Sequence, residues 1–198
     1  MRILLTNDDG WDAPGLAALV EVARAYGDIV TVAPDRHLSG CSHQTTTDQA
    51  LRLVKVAEGS YHLTGTPADC VRIAINGLDQ RFDLVLSGVN DGGNMGVDVF
   101  MSGTVAAARE AALMGIPAIA VSQYRQSGQG IDWERTRNWA RLAIDSVIDE
   151  ATQSRAGEFW NINLPDPNNG DSPKIVRCPL EPCPLDVEFM SEEIREGE

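Results

Sequence analysis

At 198 residues, 43% hydrophobic and 23% charged, the chain has the composition of one folded domain with a substantial core. Its 16 basic against 29 acidic residues leave a net charge of −13, which argues against duplex nucleic acid or an anionic membrane as partner. No apolar run approaches the ~20 residues needed to span a bilayer and no signal-peptide pattern leads the chain, so the expectation is a cytoplasmic protein.

Strand-like and helix-like segments alternate. Arg2 to Thr6 is a short apolar run that stops on turn formers and two adjacent carboxylates, Asp8 and Asp9, as a buried parallel strand would. Gly15 to Tyr26 carries Leu16, Leu19, Val20 and Ala23 at helical spacing, and Gly27 stops it. Ile29 to Ala33 is a second strand closed by Pro34, so the helix between them has the length of a parallel crossover. Residues 45–64 alternate apolar and polar side chains around Glu58-Gly59-Ser60 and predict a hairpin projecting from the main sheet.

Thr66-Pro67-Ala68-Asp69 predicts a helix start, with Thr66 as cap and Pro67 at the first helical position, and the helix runs to Gly77. Leu84 to Ser87 is another buried strand, followed by a glycine-rich loop from Gly88 to Gly103 and an alanine-rich helix from Thr104 to Met114. Ala118 to Val121 is a strand, Ile131 to Glu150 one amphipathic helix with Trp133 and Trp139 on its apolar side, and Phe159 to Leu164 a last strand. Beyond Pro165 the text turns to loop formers, with one short strand expected at Lys174 to Val176 and a charged, mobile tail at Ser191 to Glu198. The division expected is a main domain over 1–165 and a C-terminal extension over 166–198. Cys41, Cys70, Cys178 and Cys183 lack the spacing of a zinc knuckle and are read as reduced thiols, Cys70 as a buried one.

In open α/β sheets ligands bind beyond the carboxyl ends of the strands. Three such ends deliver polar side chains here: Asn7, Asp8 and Asp9 from the first; Asp35 to Gly40, with Ser39, from the second; Asn90 to Asp98 from the strand ending at Ser87. Two carboxylates, a hydroxyl and an amide oxygen form an all-oxygen set that suits a hard divalent cation, Mg²⁺ or Mn²⁺. The plainer alternative for Asp8-Asp9 is an Asx turn with solvated acids. Neither GxGxxG nor GxxxxGK[ST] occurs, so dinucleotide and NTPase fingerprints fail. Ser102-Gly103-Thr104 opens the alanine-rich helix, where free N–H groups and the helix dipole attract an anion, although hydroxyls there also serve simply as caps. Together these features point to phosphoryl transfer to water.

Asn-Asp-Asp-Gly (7–10), Ala-Pro-Gly (13–15), Ala-Pro-Asp-Arg with Ser-Gly (33–40) and Gly-Thr-Pro-Ala-Asp-Cys-Val (65–71) resemble the motifs of the SurE, or survival protein E, family. So do Ser-Gly-Val-Asn-x-Gly-x-Asn-x-Gly-x-Asp (87–98), Ser-Gly-Thr-Val-x-Ala-Ala (102–108) and Asn-Ile-Asn-Leu-Pro (161–165), all in family order. The resemblance implies a Rossmann-like α/β fold, with a mostly parallel sheet flanked by helices. It also implies a metal-dependent nucleotidase acting on nucleoside 5′- and 3′-monophosphates, with short polyphosphate as a further substrate of some members. By the same resemblance one divalent cation per subunit is held by Asp8, Asp9, Ser39 and Asn90, the phosphate meets Asn94, Ser102, Gly103 and Thr104, and Asn7 lies close to the metal. Asp8, Asp9, Asn94, Ser102 and Thr104 are the residues expected to carry catalysis. The family also implies a homodimer or homotetramer built with the hairpin and a C-terminal arm. Met101 departs from the family's usual tyrosine, and many relatives continue past this chain's end.

His37 and His43 lie near the second loop and read either as proton donors to the leaving oxygen or as exposed loop histidines; His62 has no expected chemical role. Arg36 reads as a phosphate contact or an ion-pair partner of neighbouring acids, and Trp11 as a base-stacking ring or a hydrophobic lid. A phosphoacceptor receiver domain would need an Asp and a Lys at later strand ends, where Ser87-Gly88 and Ser122-Gln123 stand. A non-catalytic nucleotide- or metal-binding regulator using the same crevice is the remaining alternative.

Overall fold

In the computed structural model the apolar run Ile3-Leu4-Leu5 is fully buried at the centre of strand β1 (Arg2–Thr6), with parallel neighbours on both sides. The structure describes residues 1–126, 128, 130–166 and 173–180. Among them the strands β2 (Asp28–Pro34), β3 (Leu53–Ala57), β4 (Ser60–Leu63), β5 (Leu84–Asp91), β6 (Ala118–Gln123) and β7 (Trp160–Leu164) complete one sheet of order β3-β4-β2-β1-β5-β6-β7. Only β3 runs antiparallel. The α/β architecture read from the sequence is therefore the one observed. The expected hairpin forms as β3–β4 and prolongs the sheet, because β4 pairs in parallel with β2 from Thr31↔Ser60 to Pro34↔Leu63.

Helices α1 (Pro14–Ala23) and α5 (Trp133–Asp145) bury their apolar sides in one cluster with Ile3, Leu5 and Leu86. Helices α2 (Pro67–Gly77) and α4 (Gly103–Leu113) bury theirs in a second cluster with Leu4, Val32 and Val85 on the opposite face. Alternate residues of β1 thus feed the two cores, as the two-residue period of a strand requires. Thr66 caps α2, as the sequence predicts, by accepting from Asp69 N at 3.2 Å, while the Asp69 carboxylate accepts from Thr66 N at 3.0 Å to form a capping box. Alanines at 106, 107, 108 and 111 are fully buried and let α4 lie close to both the sheet and α2. Close approach recurs between α1 and β5, where a Cβ on Gly15 would lie 1.9 Å from Val89 O.

Chain direction reverses at the middle of the sheet: β1 leads to β2 on one side, whereas β5, β6 and β7 follow on the other. The switch point lies between β1 and β5, whose carboxyl ends diverge into a crevice. The steps β1→β2 and β6→β7 run in opposite directions across the sheet, yet α1 and α5 pack on the same face. Their crossovers therefore have opposite hands. With α1, α2 and α4 obeying the usual right-handed preference, β6–α5–β7 is left-handed.

The single helix expected over 131–150 is two, α5 and α6 (Ile148–Ala151). Ser146 Oγ bonds back to Ala143 O at 2.7 Å, and Val147 leaves helical conformation at φ −129° to bury its side chain. No strand forms at Lys174–Val176: Pro173 and Pro179 flank the segment, which is held instead by Arg177 bonding to Glu150 and to Ser146 O. The loop expected over 167–172, Cys183 and the charged tail lie outside the described residues. Cys70 is buried as expected, and Cys41, Cys70 and Cys178 are free thiols. No helix among the described residues is long and apolar enough to cross a membrane.

Candidate metal and phosphate site

The turn after β1 is closed by Asn7, whose Nδ2 donates to Gly10 O at 2.9 Å and whose Oδ1 accepts from Gly10 N at 3.2 Å. With its side chain spent on the turn, Asn7 holds Asp8 and Asp9 in place. Asp8 is 3% exposed, and its Oδ1 accepts a hydrogen bond from Thr104 Oγ1 at the start of α4. Thr104 Oγ1 also lies 3.3 Å from Asn90 Oδ1, while Asn90 Nδ2 is turned away to Gly92 O at 2.8 Å. A hydroxyl has one O–H to donate; Asp8 accepts it, and the Asn90 oxygen faces the same spot with its acceptor capacity unused. Three oxygens from β1, β5 and α4 thus converge.

Asp9 points to the other side of the turn. Its Oδ2 accepts from Asp91 N at 3.2 Å, and its Oδ1 lies 3.3 Å from His37 Nδ1. Burial raises the pKa of Asp8 above the ordinary carboxylate value. Asp9 is raised by burial first and by the Asp8 charge second. Two acids disfavoured as anions, within an oxygen-lined crevice, could be stabilised in charged form by a bound cation. The donors are hard oxygens, which fits Mg²⁺ or Mn²⁺. Cys41 stands beside them, its thiol pushed up to about 11 by burial and the Asp8 charge, and its sulfur is a softer donor than Mg²⁺ or Mn²⁺ prefers. Among the described residues no three His, Cys, Asp or Glu side chains cluster closely enough to hold a metal, so a cation here depends on neutral oxygens beside Asp8 and Asp9.

Ser39 is exposed on the loop after β2, which is tied down by Leu38 N donating to Asp8 O at 2.7 Å. With Asp9 and His37 it lines a cavity of about 880 Å³ whose far wall carries Arg125, Ile131 and Trp133. Asn94 is buried: its Nδ2 donates to Ser122 Oγ at 2.8 Å, and its backbone is gripped by Asn161 and Asn163 of β7. The Asn-Ile-Asn spacing puts both of those amides on one face of the strand. Ser102 caps α4, its Oγ accepting from Val105 N at 3.1 Å. Gly103 sits where a Cβ would come within 2.8 Å of Asp8 Cβ and 2.9 Å of Cys41 Sγ. Gly103→Ala is accordingly expected to cost about 1–3 kcal/mol in thermal unfolding, because α4 or the acid turn must shift.

Of the two histidines considered as proton donors, His37 lines the cavity and His43 is drawn away to Glu110 at 2.7 Å. Arg36 is exposed and 3.7 Å from Asp35, and Trp11 packs its ring on His62 with centroids 5.7 Å apart. Met101 is 52% exposed at the end of a short helix, α3 (Asp98–Met101). Sequence reasoning missed the ion pair of Arg125 with Asp91 and the buried Glu110. The only textual signal for Glu110 is a charged pair, Arg109-Glu110, inside an alanine-rich helix.

A sequence model of one protein family, described as Survival protein SurE, matches residues 3–181. The chain belongs to the SurE family. A relative in Nostoc sp., named a putative 5′-nucleotidase, is 46% identical over 92% of this chain and 79% of its own length. The 5′-nucleotidase SurE of Nitrosomonas europaea is 45% identical over 84% of this chain and 66% of its own length. The crystal structure of the SurE protein from Aquifex aeolicus superposes with a TM-score of 0.74 at 37% identity, covering 84% of this chain and 66% of that one. The SurE match spans every residue of the site described above.

Proposed function

We propose that this SurE protein is a phosphomonoesterase that hydrolyses nucleoside 5′- and 3′-monophosphates to nucleoside and phosphate, using one Mg²⁺ or Mn²⁺ per subunit, with short polyphosphate as a lesser substrate. The observation that carries this reading is the convergence of Asp8, Asn90 and Thr104 oxygens at the start of α4. The name borne by the Nitrosomonas relative supports the nucleotide as substrate.

Asp8, Asp9, Asn90 and Ser39 would hold the cation, which when bound supplies charge neutralisation and Lewis-acid polarisation of the phosphate and of a water. The chain's own residues do the rest. The Ser102 N–H is taken by Asp98 O, so the start of α4 offers the Gly103 backbone N–H and the positive end of a helix dipole to the phosphate oxygens. Thr104 holds Asp8 in one orientation, and Asn7 fixes the turn that carries both acids. Asn94, pinned from β6 and β7, keeps the glycine-rich loop at the phosphate end of the crevice. Water rather than a carboxylate is the attacking group: Asp8 is buried and bonded to Thr104, and both Asp9 oxygens have neighbours. The P–O bond to the ribose breaks as the new P–O bond forms in line, and the ribose oxygen leaves with a proton.

The test is phosphate release from a panel of 5′- and 3′-monophosphates crossed with Mg²⁺, Mn²⁺ and Zn²⁺, with a chelator control. Release that depends on a divalent ion is expected. Nucleotide binding with no release under any ion would replace the enzyme by a regulator.

A further inference from the structure

Ser39 stands on a loop without regular secondary structure, so its position depends on what ties that loop down. Beyond Leu38, the anchors all run to α3, α4 or the start of α2. Ser42 N and Oγ donate to Met101 O at 3.1 Å and Phe100 O at 2.6 Å, and Thr46 bonds to Asp69 through N at 2.9 Å and Oγ1 at 2.7 Å. Between them His43 reaches inward. Its Nε2 lies 2.7 Å from Glu110 Oε2, and its Nδ1 lies 3.3 Å from Arg109 Nη1.

A guanidinium only donates hydrogen bonds, so Nδ1 must accept and the proton of neutral His43 sits on Nε2, donated to Glu110. The second Glu110 oxygen accepts from Arg72 Nε of α2, and Arg109 Nη2 donates to Val99 O of α3 at 2.8 Å. Glu110 is 5% exposed. Burial works to raise its carboxyl, but the hydrogen bonds from Arg72 and His43 prevail and hold it below the ordinary range. One buried carboxylate therefore fastens the Ser39 loop to the helix that begins at the phosphate end of the crevice. Two turns closer to the site the same two segments touch, where Gly103 leaves room for Asp8 and Cys41.

We propose that His43 and Glu110 are positioning residues whose pairing fixes the Ser39 loop against α4 and so sets the affinity of the site for its divalent cation. The proposal rests on the metal assignment made for Asp8, Asp9, Ser39 and Asn90. Groups that orient metal ligands through hydrogen bonds typically change metal affinity by roughly 10–100-fold when removed.

The test uses the full chain and Mn²⁺ alone, titrated by calorimetry into wild type, His43→Ala and His43→Gln. Removing His43 leaves the Arg72–Glu110 pair intact, so folding is spared, and glutamine restores an N–H within reach of Glu110. Expected are roughly tenfold weaker Mn²⁺ binding in His43→Ala, recovery of most of it in His43→Gln, and faster amide hydrogen exchange over residues 38–46 in the alanine variant alone. Saturating Mn²⁺ should then restore phosphate release in His43→Ala, which a general loss of stability would not allow. Mn²⁺ affinity and loop exchange within twofold of wild type in His43→Ala overturns the positioning role alone. Failure of wild type to bind Mn²⁺ overturns the metal assignment and this inference with it.

Discussion

Asp8→Asn and Asp9→Asn should each lower phosphate release from a nucleoside monophosphate by about 10³-fold or more, while the metal-free proteins melt at a higher temperature than wild type. The first half follows from the proposed function, in which a cation held by these acids would carry several kcal/mol of the barrier, at about 1.4 kcal/mol for each tenfold in rate. The second follows from the sign of the pKa shifts. Both carboxyls are raised in the folded protein, Asp8 by burial and Asp9 by burial and then by its neighbour's charge. A raised acid binds its proton more readily in the native state than in the unfolded one, so its anion costs stability at neutral pH and that cost fades as pH falls through the folded-state pKa. Asparagine removes the anion, and the substituted Oδ1 still accepts from Thr104. Differential scanning calorimetry with chelator, beside a phosphate-release assay with Mn²⁺, reads both. An asparagine variant that keeps wild-type turnover would remove that carboxylate from the mechanism.

Gly15→Ala should strongly impair folding. A Cβ there would lie 1.9 Å from Val89 O and 3.1 Å from the Trp133 ring, and the first of these is backbone of a central strand. Neither α1 nor β5 can yield alone, so α1 must lift from the sheet. Overpacking of this severity costs about 3 kcal/mol or more, and a chain of this size loses roughly 2–4 °C in Tm for each kcal/mol. A fall of at least about 6 °C is expected by thermal unfolding, with exposed Ala17→Gly as a control that loses only about 1 kcal/mol of helix propensity. An unchanged Tm in Gly15→Ala would mean that α1 packs differently from the arrangement described. Activity should fall too, because Val89 adjoins Asn90.

Much of this was legible in the residues. The run ending at Thr6, the cap at Thr66 and the alanine-rich stretch after Ser102 each carry a local rule strong enough to survive tertiary context. What escaped depends on contacts far apart in the chain. The hairpin's pairing with β2 is decided by which strand edge is left open, and sequence alternation does not encode that. The break at Ser146 hides inside a helical period that continues on either side. For the site, the acids and amides declared themselves by standing at strand ends, and the roles of their neighbours did not. Asn7 reads as a residue close to the metal, and its side chain closes its own turn; Glu110 stands unremarked in an alanine-rich helix and is buried against a histidine 67 residues away. The SurE motifs carried the family, and the geometry supplies the reasons for Gly103 and for Asn161 and Asn163.

On leaving β6 the chain does not fold back over α4. To reach the face where α5 docks beside α1, it must swing across the open carboxyl edge of the sheet, bringing Arg125, Gly128, Gly130 and Ile131 over the side where Asp9 and His37 lie. A crossover of the ordinary hand would keep that segment on α4's face and leave this side of the acid pair facing bulk water. Screening of the crevice is thus a by-product of chain topology, achieved with a few residues of connecting backbone where other α/β folds insert a separate lid.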